Sequence, residues 1–513
     1  MGWVNLGMAK IVGMVFHVPK MWAVMACVSI TCLYSASSGL WGVMATGFFQ
    51  FFFAMAMTIL LAFVSVHSAG GLGAVLAKLS LVYGSENASS MLSMVPSVHT
   101  PNHAFTVFLL YFVLLWWTTG TTDGGAYFAQ RMISAKNEKH SFLGFLWFNI
   151  AHSVLRPWPW IVVGIVAAVQ FPGIATKNPL SGKLEADPEL GYIAVMLTVL
   201  KPGLLGLMLA GFLAAFMSTI STQINWGASY LVNDFYRPFI KKNASEKHYV
   251  RVSVFAVVVS AVLGGVVSFF MDDIFLGWLI LSAINAGIGV VFIARWYWWR
   301  INAWSEIFAI VSILGVVAMI LLVKSASVLR ILLLSLVAVC FVVLVVGGLS
   351  KRNWRLQHRC GSALILFLLV LGAILVLAVT LPERNFPWTL VYSVPLSMAI
   401  WLTATLVTKP VDEDHLIRFY RRVHPGGPGW KRIAEKTSGD YSSGHLFTRK
   451  NIMGFLFGSL ATYCALIGFG QLMLGRTLSG IILMVVMAAS IVVVVRNLSG
   501  ERWEAGVFNS VKI

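Results

Sequence analysis

Charged side chains are scarce in this chain: they make up 11% of its 513 residues, with 19 acids against 37 bases. An ordinary soluble domain carries about 25%, so a water-covered globular surface is excluded. Cysteine is nearly lacking too. Cys27, Cys32, Cys340, Cys360 and Cys464 fall in or beside apolar runs with no metal-ligand spacing, which excludes a disulfide framework or a zinc cluster. Also missing are an HExxH pair, a nucleophile elbow, a Gly-rich nucleotide loop and any Cys/His ligand set, so no enzyme activity is expected. Met1 leads straight into an apolar run without a basic n-region, and no cleavable leader is expected.

What the chain has in quantity is hydrophobic residues, 58% of the total. They gather into runs long enough to span a bilayer near 1–17, 21–38, 44–66, 105–122, 143–170, 203–234, 249–270, 274–295, 303–323, 328–348, 361–381, 388–408, 452–474 and 477–495. By the twenty-residue rule these predict about 14 transmembrane segments in an all-α membrane protein. The formal charge of +18 sits in short loops between the runs, so it reads as topology and not as a nucleic-acid surface. Arg131–His140, Arg237–Arg251, Arg295–Arg300, Lys351–Arg359 and Arg418–Lys450 alternate with acidic or neutral loops. The positive-inside bias therefore places both termini in the cytoplasm of a multi-pass inner-membrane protein in contact with lipid. Loops 67–104 and 171–202 are expected outside. Segment 409–450 is read as a cytoplasmic linker, too short for a domain.

One run departs from lipid-facing chemistry. Gly203–Tyr236 is long and apolar, yet its middle carries Ser218, Thr219, Ser221, Thr222, Gln223 and Asn225. Each unpaired polar group in hydrocarbon costs several kcal/mol. Ala214, Ala215, Ser218, Ser221 and Thr222 recur at spacings of three and four, so one face is small and polar. Such a face suits either close helix packing or cation coordination by hydroxyls and carbonyls.

The run AGFLAAFMSTISTQINWGASYLVNDFY, closing on Asn233-Asp234-Phe235-Tyr236, resembles the signature helix of the sodium:solute symporter family, the sodium-coupled sugar, proline and sialic-acid carriers. The resemblance implies an inverted-repeat fold of five plus five helices. It also implies a sodium ion held by the Ala215 carbonyl and the Ser218 and Thr219 hydroxyls, with no organic cofactor. MGWVNLGMAKIVGMVFHVPK is similar to the family's third core helix, and Tyr34-Ser35, Gly39-Leu40, Gly42-Val43, Thr46 and Gln50 match the next two. The expectation is thus a shortened, bacterial-type member lacking the first two core helices. Its divisions would be 1–66, a remnant of the first repeat; 105–300, the second repeat; 301–408, peripheral helices; and 451–513, two last helices and a tail. Where the family commonly has Thr-Asp-x-x-Gln, this chain reads Thr46-Gly47-Phe48-Phe49-Gln50. The glycine leaves any cation there on neutral oxygens, a set that still suits a hard ion.

Other intramembrane polar groups carry paired readings. Arg156, one turn after His152 and just before Pro157 and Pro159, is either a counter-ion for an anionic solute or a structural arginine beside a proline break. Trp116 and Trp117 precede a Gly- and Thr-rich stretch, and are either a stacking wall for a ring-bearing solute or interfacial anchors. Asn285 is a solute contact or a cross-helix hydrogen bond. The function expected is sodium-coupled symport of a small solute, a sugar or an organic acid, by alternating access. The rival is a non-transporting member that keeps the fold.

Overall fold

Proline and glycine set the boundaries of the first helices. The computed structural model describes residues 1–96, 98, 105–111, 132, 135–177, 184–271, 273–322, 386–437 and 449–499. Helix α1 (Gly2–Phe16) ends where His17 takes a left-handed φ of 55°. Pro19 then opens α2 (Lys20–Ser68), whose first part is bent 120° from α1. The separate runs expected at 21–38 and 44–66 are one helix of 49 residues, about 74 Å long at 1.5 Å per residue. Between them stand no proline and no charge, and a glycine costs a helix only about 1 kcal/mol. The stop comes at Gly70 and Gly71, whose φ values of 93° and 90° suit no other residue well.

Short α3 (Leu72–Tyr83) and α4 (Ser85–Met91) follow. Helix α5 (Glu138–Ile150) passes through a π-turn, Ala151–Leu155, into α6 (Pro157–Gln170). Pro157 causes the widening: it lacks an N–H, and its ring collides with the carbonyl four residues back. In the wider turn Arg156 N donates to Ala151 O at 3.1 Å. An antiparallel ribbon of β1 (Ala175–Lys177) and β2 (Leu184–Ala186), with Thr176 opposite Glu185, adds a small exception to the all-helical expectation. After α7 (Gly191–Val199) comes α8 (Pro202–Tyr230), which continues as a π-helix over Leu231–Ile240. Then follow α9 (Glu246–Phe269), α10 (Ile274–Tyr297), α11 (Ala303–Leu322) and α12 (Phe386–Val407). The chain closes with α13 (Glu413–Val423), α14 (Lys431–Ala434), α15 (Arg449–Met473) and α16 (Thr477–Ser499). Among the described residues seven helical stretches are long and apolar enough to span a membrane, Gly47–Ser68 of α2 among them, or eight if α1 and the bent first part of α2 (Lys20–Leu33) form one span. The expected spans near 105–122, 328–348 and 361–381 lie wholly or largely outside the described residues.

Two units divide the chain, and α10 and α15 belong partly to each. In the first (1–94, 136–278 and 456–513), α2 packs on α6, α7 and α8 around Leu61, Val163, Val166, Val195 and Met196, all fully buried. Contact of this kind holds helices together in lipid by close packing, since lipid tails are as apolar as leucine. Lys10 ties α1 to the loop before α7, bonding Asp187 at 3.0 Å and Glu189 at 2.6 Å. The other oxygen of Glu189 accepts from Ile274 N at 3.0 Å and so caps the start of α10. A half-buried cation is thereby paired with two acids, one of which also satisfies a helix end.

In the second unit (95–135 and 279–455), α11 and α12 are zipped by hydroxyls. Ser305 Oγ meets Thr405 Oγ1 at 2.7 Å, and Ser312 Oγ meets Ser397 Oγ at 2.7 Å. The stretch expected as a linker is folded over 411–437. Leu416, Tyr420, Trp430, Ile433 and Ala434 form a cluster of their own against Trp299. Trp430 Nε1 donates to Arg295 O at 3.0 Å, and Arg432 lies over the Trp299 ring.

Candidate functional site

The contact between α2 and α8 is the most extensive helix pairing among the described residues. Its register follows from small residues. A methyl built on Gly47 would lie 3.5 Å from Ser218 Oγ, and one on Gly211 would lie 3.6 Å from Met57 Cβ and 3.7 Å from Ala54 Cα. As α2 advances from 47 to 57, α8 retreats from 218 to 211, so the pair is antiparallel. Gly47, Gln50, Ala54 and Met57 share one face of α2; Gly211, Ala215, Ser218 and Thr222 share the facing stripe of α8.

Two of the expected ion ligands, Ala215 and Ser218, thus stand on this stripe, while Thr219, the third, is exposed on α8. Thr219 Oγ1 donates to Ala215 O at 2.9 Å, which joins two of them directly. Donating leaves the lone pairs of a hydroxyl free to face a cation. The Ser218 carbonyl accepts from Thr222 Oγ1 at 2.8 Å and Ser221 Oγ at 3.4 Å. Gln50, one turn from Gly47, has a buried amide oxygen with no hydrogen-bond partner among the described residues. Gln223 Oε1 and Asn225 Nδ2 farther along α8 are in the same condition. A buried polar group left unmade costs about 1–3 kcal/mol, so the Gln50 oxygen at the seam calls for a role beyond stability. The oxygens here are neutral and hard, suited to a small alkali cation. Among the described residues no three His, Cys, Asp or Glu stand together as a metal site, and Gly47 supplies no carboxylate.

Of the remaining expected residues, Arg156 is exposed at the end of the π-turn, with one guanidinium nitrogen 3.2 Å from His152 Nδ1, and His152 stacks on Phe148. Asn285 is half-buried on α10 in the second unit. Trp116 and Trp117 lie outside the described residues. Sequence spacing along one helix could not reveal that Gly47 faces Ser218. The signal available was the Thr46–Gln50 pattern, which names both Gly47 and Gln50.

Seven helices of membrane-spanning length among the described residues make this a multi-pass membrane protein. The chain belongs to the sodium:solute symporter family, whose family model matches residues 5–315. It is 27% identical over 212 residues to the osmoregulated proline transporter OpuE of Bacillus subtilis, covering 38% of this chain and 42% of that protein. It is 30% identical over 176 residues to the sodium/proline symporter of Escherichia coli, covering 33% and 34%. With the human sodium/myo-inositol cotransporter 2 it shares 26% identity over 337 residues, covering 60% and 48%. The chain thus spans less than half the length of these curated relatives. Its fold is similar to that of a Na+-coupled sialic acid symporter solved in a substrate-bound outward-open state, with a TM-score of 0.51 at 15% identity, covering 80% of this chain and 72% of that one.

Proposed function

We propose that this chain is a sodium-coupled carrier of a small polar solute working by alternating access, with the ion held at the α2–α8 seam. Its ligands are the Ala215 carbonyl, the Ser218 and Thr219 hydroxyls, and the Gln50 amide oxygen. The observation that carries this reading is the apposition of Gly47 and Ser218 beside the orphaned Gln50 oxygen. Family membership supports it, and the matched relatives are named for proline and myo-inositol. A sugar or an organic acid is the solute class we assign, with Asn285, Trp116 and Trp117 as its contacts. Arg156 stays out of that set because His152 engages it on an exposed surface. An inner-membrane location with cytoplasmic termini completes the reading.

A second reading, a member that keeps the fold without sodium coupling, draws on one specific feature: no carboxylate stands at Gly47, and Thr219 closes onto Ala215. Reconstituted vesicles separate the two. A panel of proline, myo-inositol and sialic acid is offered with an inward sodium gradient or with potassium alone. Sodium-driven accumulation of one solute supports the first reading. Uptake that ignores sodium supports the second.

A further inference from the structure

At the far end of α8 the structure carries a second feature, independent of the ion seam. From Leu231 the helix widens into a π-helix, and Pro238 removes a donor from its last turn; Lys241 N reaches Tyr236 O at 3.0 Å to close it. The widened segment stands away from α9 and leaves a groove of about 170 Å³. Phe235 and Ile240 form one wall, Val252, Phe255 and Val259 form the other, and buried Val232 lines the groove beneath them. From Val252 to Val259 the groove runs about 10 Å along α9.

Its two ends differ chemically. One end lies within the membrane-length stretches Pro202–Ile240 and Glu246–Phe269. The other opens where Ile240 gives way to Lys241 and Lys242 and where Arg251 precedes Val252, all three exposed. Lys247, one turn before Arg251, adds a fourth exposed cation on the same helix face. The acid between them, Glu246, is taken by Arg237 at 3.5 Å, and that arginine also lies over Tyr249. The mouth is held in shape: Tyr236 Oη bonds His248 Nε2 at 2.9 Å, and Tyr249 Oη donates to Lys241 O at 2.7 Å while accepting from Ala244 N at 3.1 Å.

An apolar slot entering the bilayer from a cationic rim matches one kind of molecule, with an anionic head and a hydrocarbon tail. A free phosphate has no use for its apolar walls. We propose that the groove between Leu231–Ile240 and α9 binds an anionic glycerophospholipid. One acyl chain lies between Phe235 and Phe255, and the phosphate sits against Lys241, Lys242 and Arg251.

Native mass spectrometry tests this on the full chain, reconstituted in equimolar phosphatidylglycerol and phosphatidylcholine of identical acyl chains and then extracted. The wild type retains phosphatidylglycerol over phosphatidylcholine by about ten-fold or more, as expected for several basic groups at the lipid surface. The triple variant Lys241→Gln, Lys242→Gln, Arg251→Gln, altered only at exposed positions, brings the two lipids to parity. Val259→Trp, which fills the slot, loses retained lipid of both kinds. Equal retention by the wild type overturns the proposal, as does an unchanged preference in the triple variant. Two other results overturn it as well: glycerol phosphate binding that survives Val259→Trp, which assigns the rim to a free anion, and a dimer mass abolished by Val259→Trp, which assigns the slot to a second copy. None of these outcomes depends on transport, so the ion seam stands or falls separately.

Discussion

The α2–α8 and α11–α12 pairs are built from the same residue types and end in opposite states. In α11–α12 the hydroxyls answer one another, Ser305 with Thr405 and Ser312 with Ser397, and just beyond the helix ends Asn302 Nδ2 donates to Thr408 Oγ1 at 2.9 Å. Ser305, Ser397 and Thr405 are completely buried, and Ser393 is the hydroxyl left over. In α2–α8 the hydroxyls turn back on their own helix, and an amide oxygen is left without a partner. Serine and threonine in a membrane therefore have two uses. Paired across helices they lock a bundle; left facing a gap between small residues they make a polar lining.

Room for a side chain is the first place where the two regions separate. A methyl on Gly287, where α10 packs on α11 beside that zip, would meet Ile313 Cβ at 2.7 Å and Ala309 O at 3.1 Å, whereas one on Gly47 finds its nearest neighbour at 3.5 Å. Gly287→Ala is expected to destabilise the protein by about 1–3 kcal/mol, and Gly47→Ala to be neutral or slightly stabilising through helix propensity. Thermal unfolding in one detergent compares them, and equal losses would erase the distinction.

Next in size is the hydroxyl contrast. Ser312→Ala breaks a buried pair and leaves Ser397 short of its partner, with an expected loss of about 1–2 kcal/mol. Ser218→Ala breaks no pair between described residues, and its expected loss is under about 0.5 kcal/mol. A Ser218→Ala variant as unstable as Ser312→Ala would show that both seams are structural zips.

Charge sharpens the comparison further. Gly47→Asp sets a carboxylate beside Ser218 Oγ. Attraction at close range competes with desolvation, and the expected net is roughly ten-fold tighter sodium binding, about 1.4 kcal/mol. The same variant without sodium unfolds at a lower temperature, because its half-buried charge is then unpaired. A sodium affinity untouched by the aspartate would remove the ion from this seam.

The smallest effect is expected outside both seams. Lys436 holds the exposed Glu413 carboxyl below its ordinary range by a direct hydrogen bond. A depressed carboxyl stabilises at pH above its unfolded value and loses that contribution as pH falls through the folded one. Amide protection over 411–437, corrected for the pH dependence of the intrinsic exchange rate, should fall slightly between about pH 5 and pH 3, and Lys436→Gln should flatten the fall.

How much of this was legible in the sequence depended on whether the signal lay within one helix. The polar face of α8 was readable because Ala215, Ser218 and Thr222 recur at helical spacing. The hydroxyl zip was not, since Ser312 and Ser397 are 85 residues apart and nothing local links them. The continuity of α2 is not visible in the sequence because 21–38 and 44–66 are each about long enough to span a bilayer alone. The folded segment after α12 looked like a linker because Pro425, Gly426, Gly427 and Gly429 read as turns. There the glycines serve close approach: a methyl on Gly427 would collide with Tyr297 Cα and the Trp296 carbonyl. The groove beside the π-helix had no signal beyond Pro238, because a π-turn is a response to packing and not a sequence pattern.

The central claim is that the oxygens around Ser218 hold a cation, and equilibrium binding of radioactive sodium to the purified chain tests it most directly. Saturable binding is expected in the wild type and in Ser312→Ala, with Ser218→Ala weakened about ten-fold or more. Sodium bound equally well by Ser218→Ala, or no saturable binding at all, would contradict it.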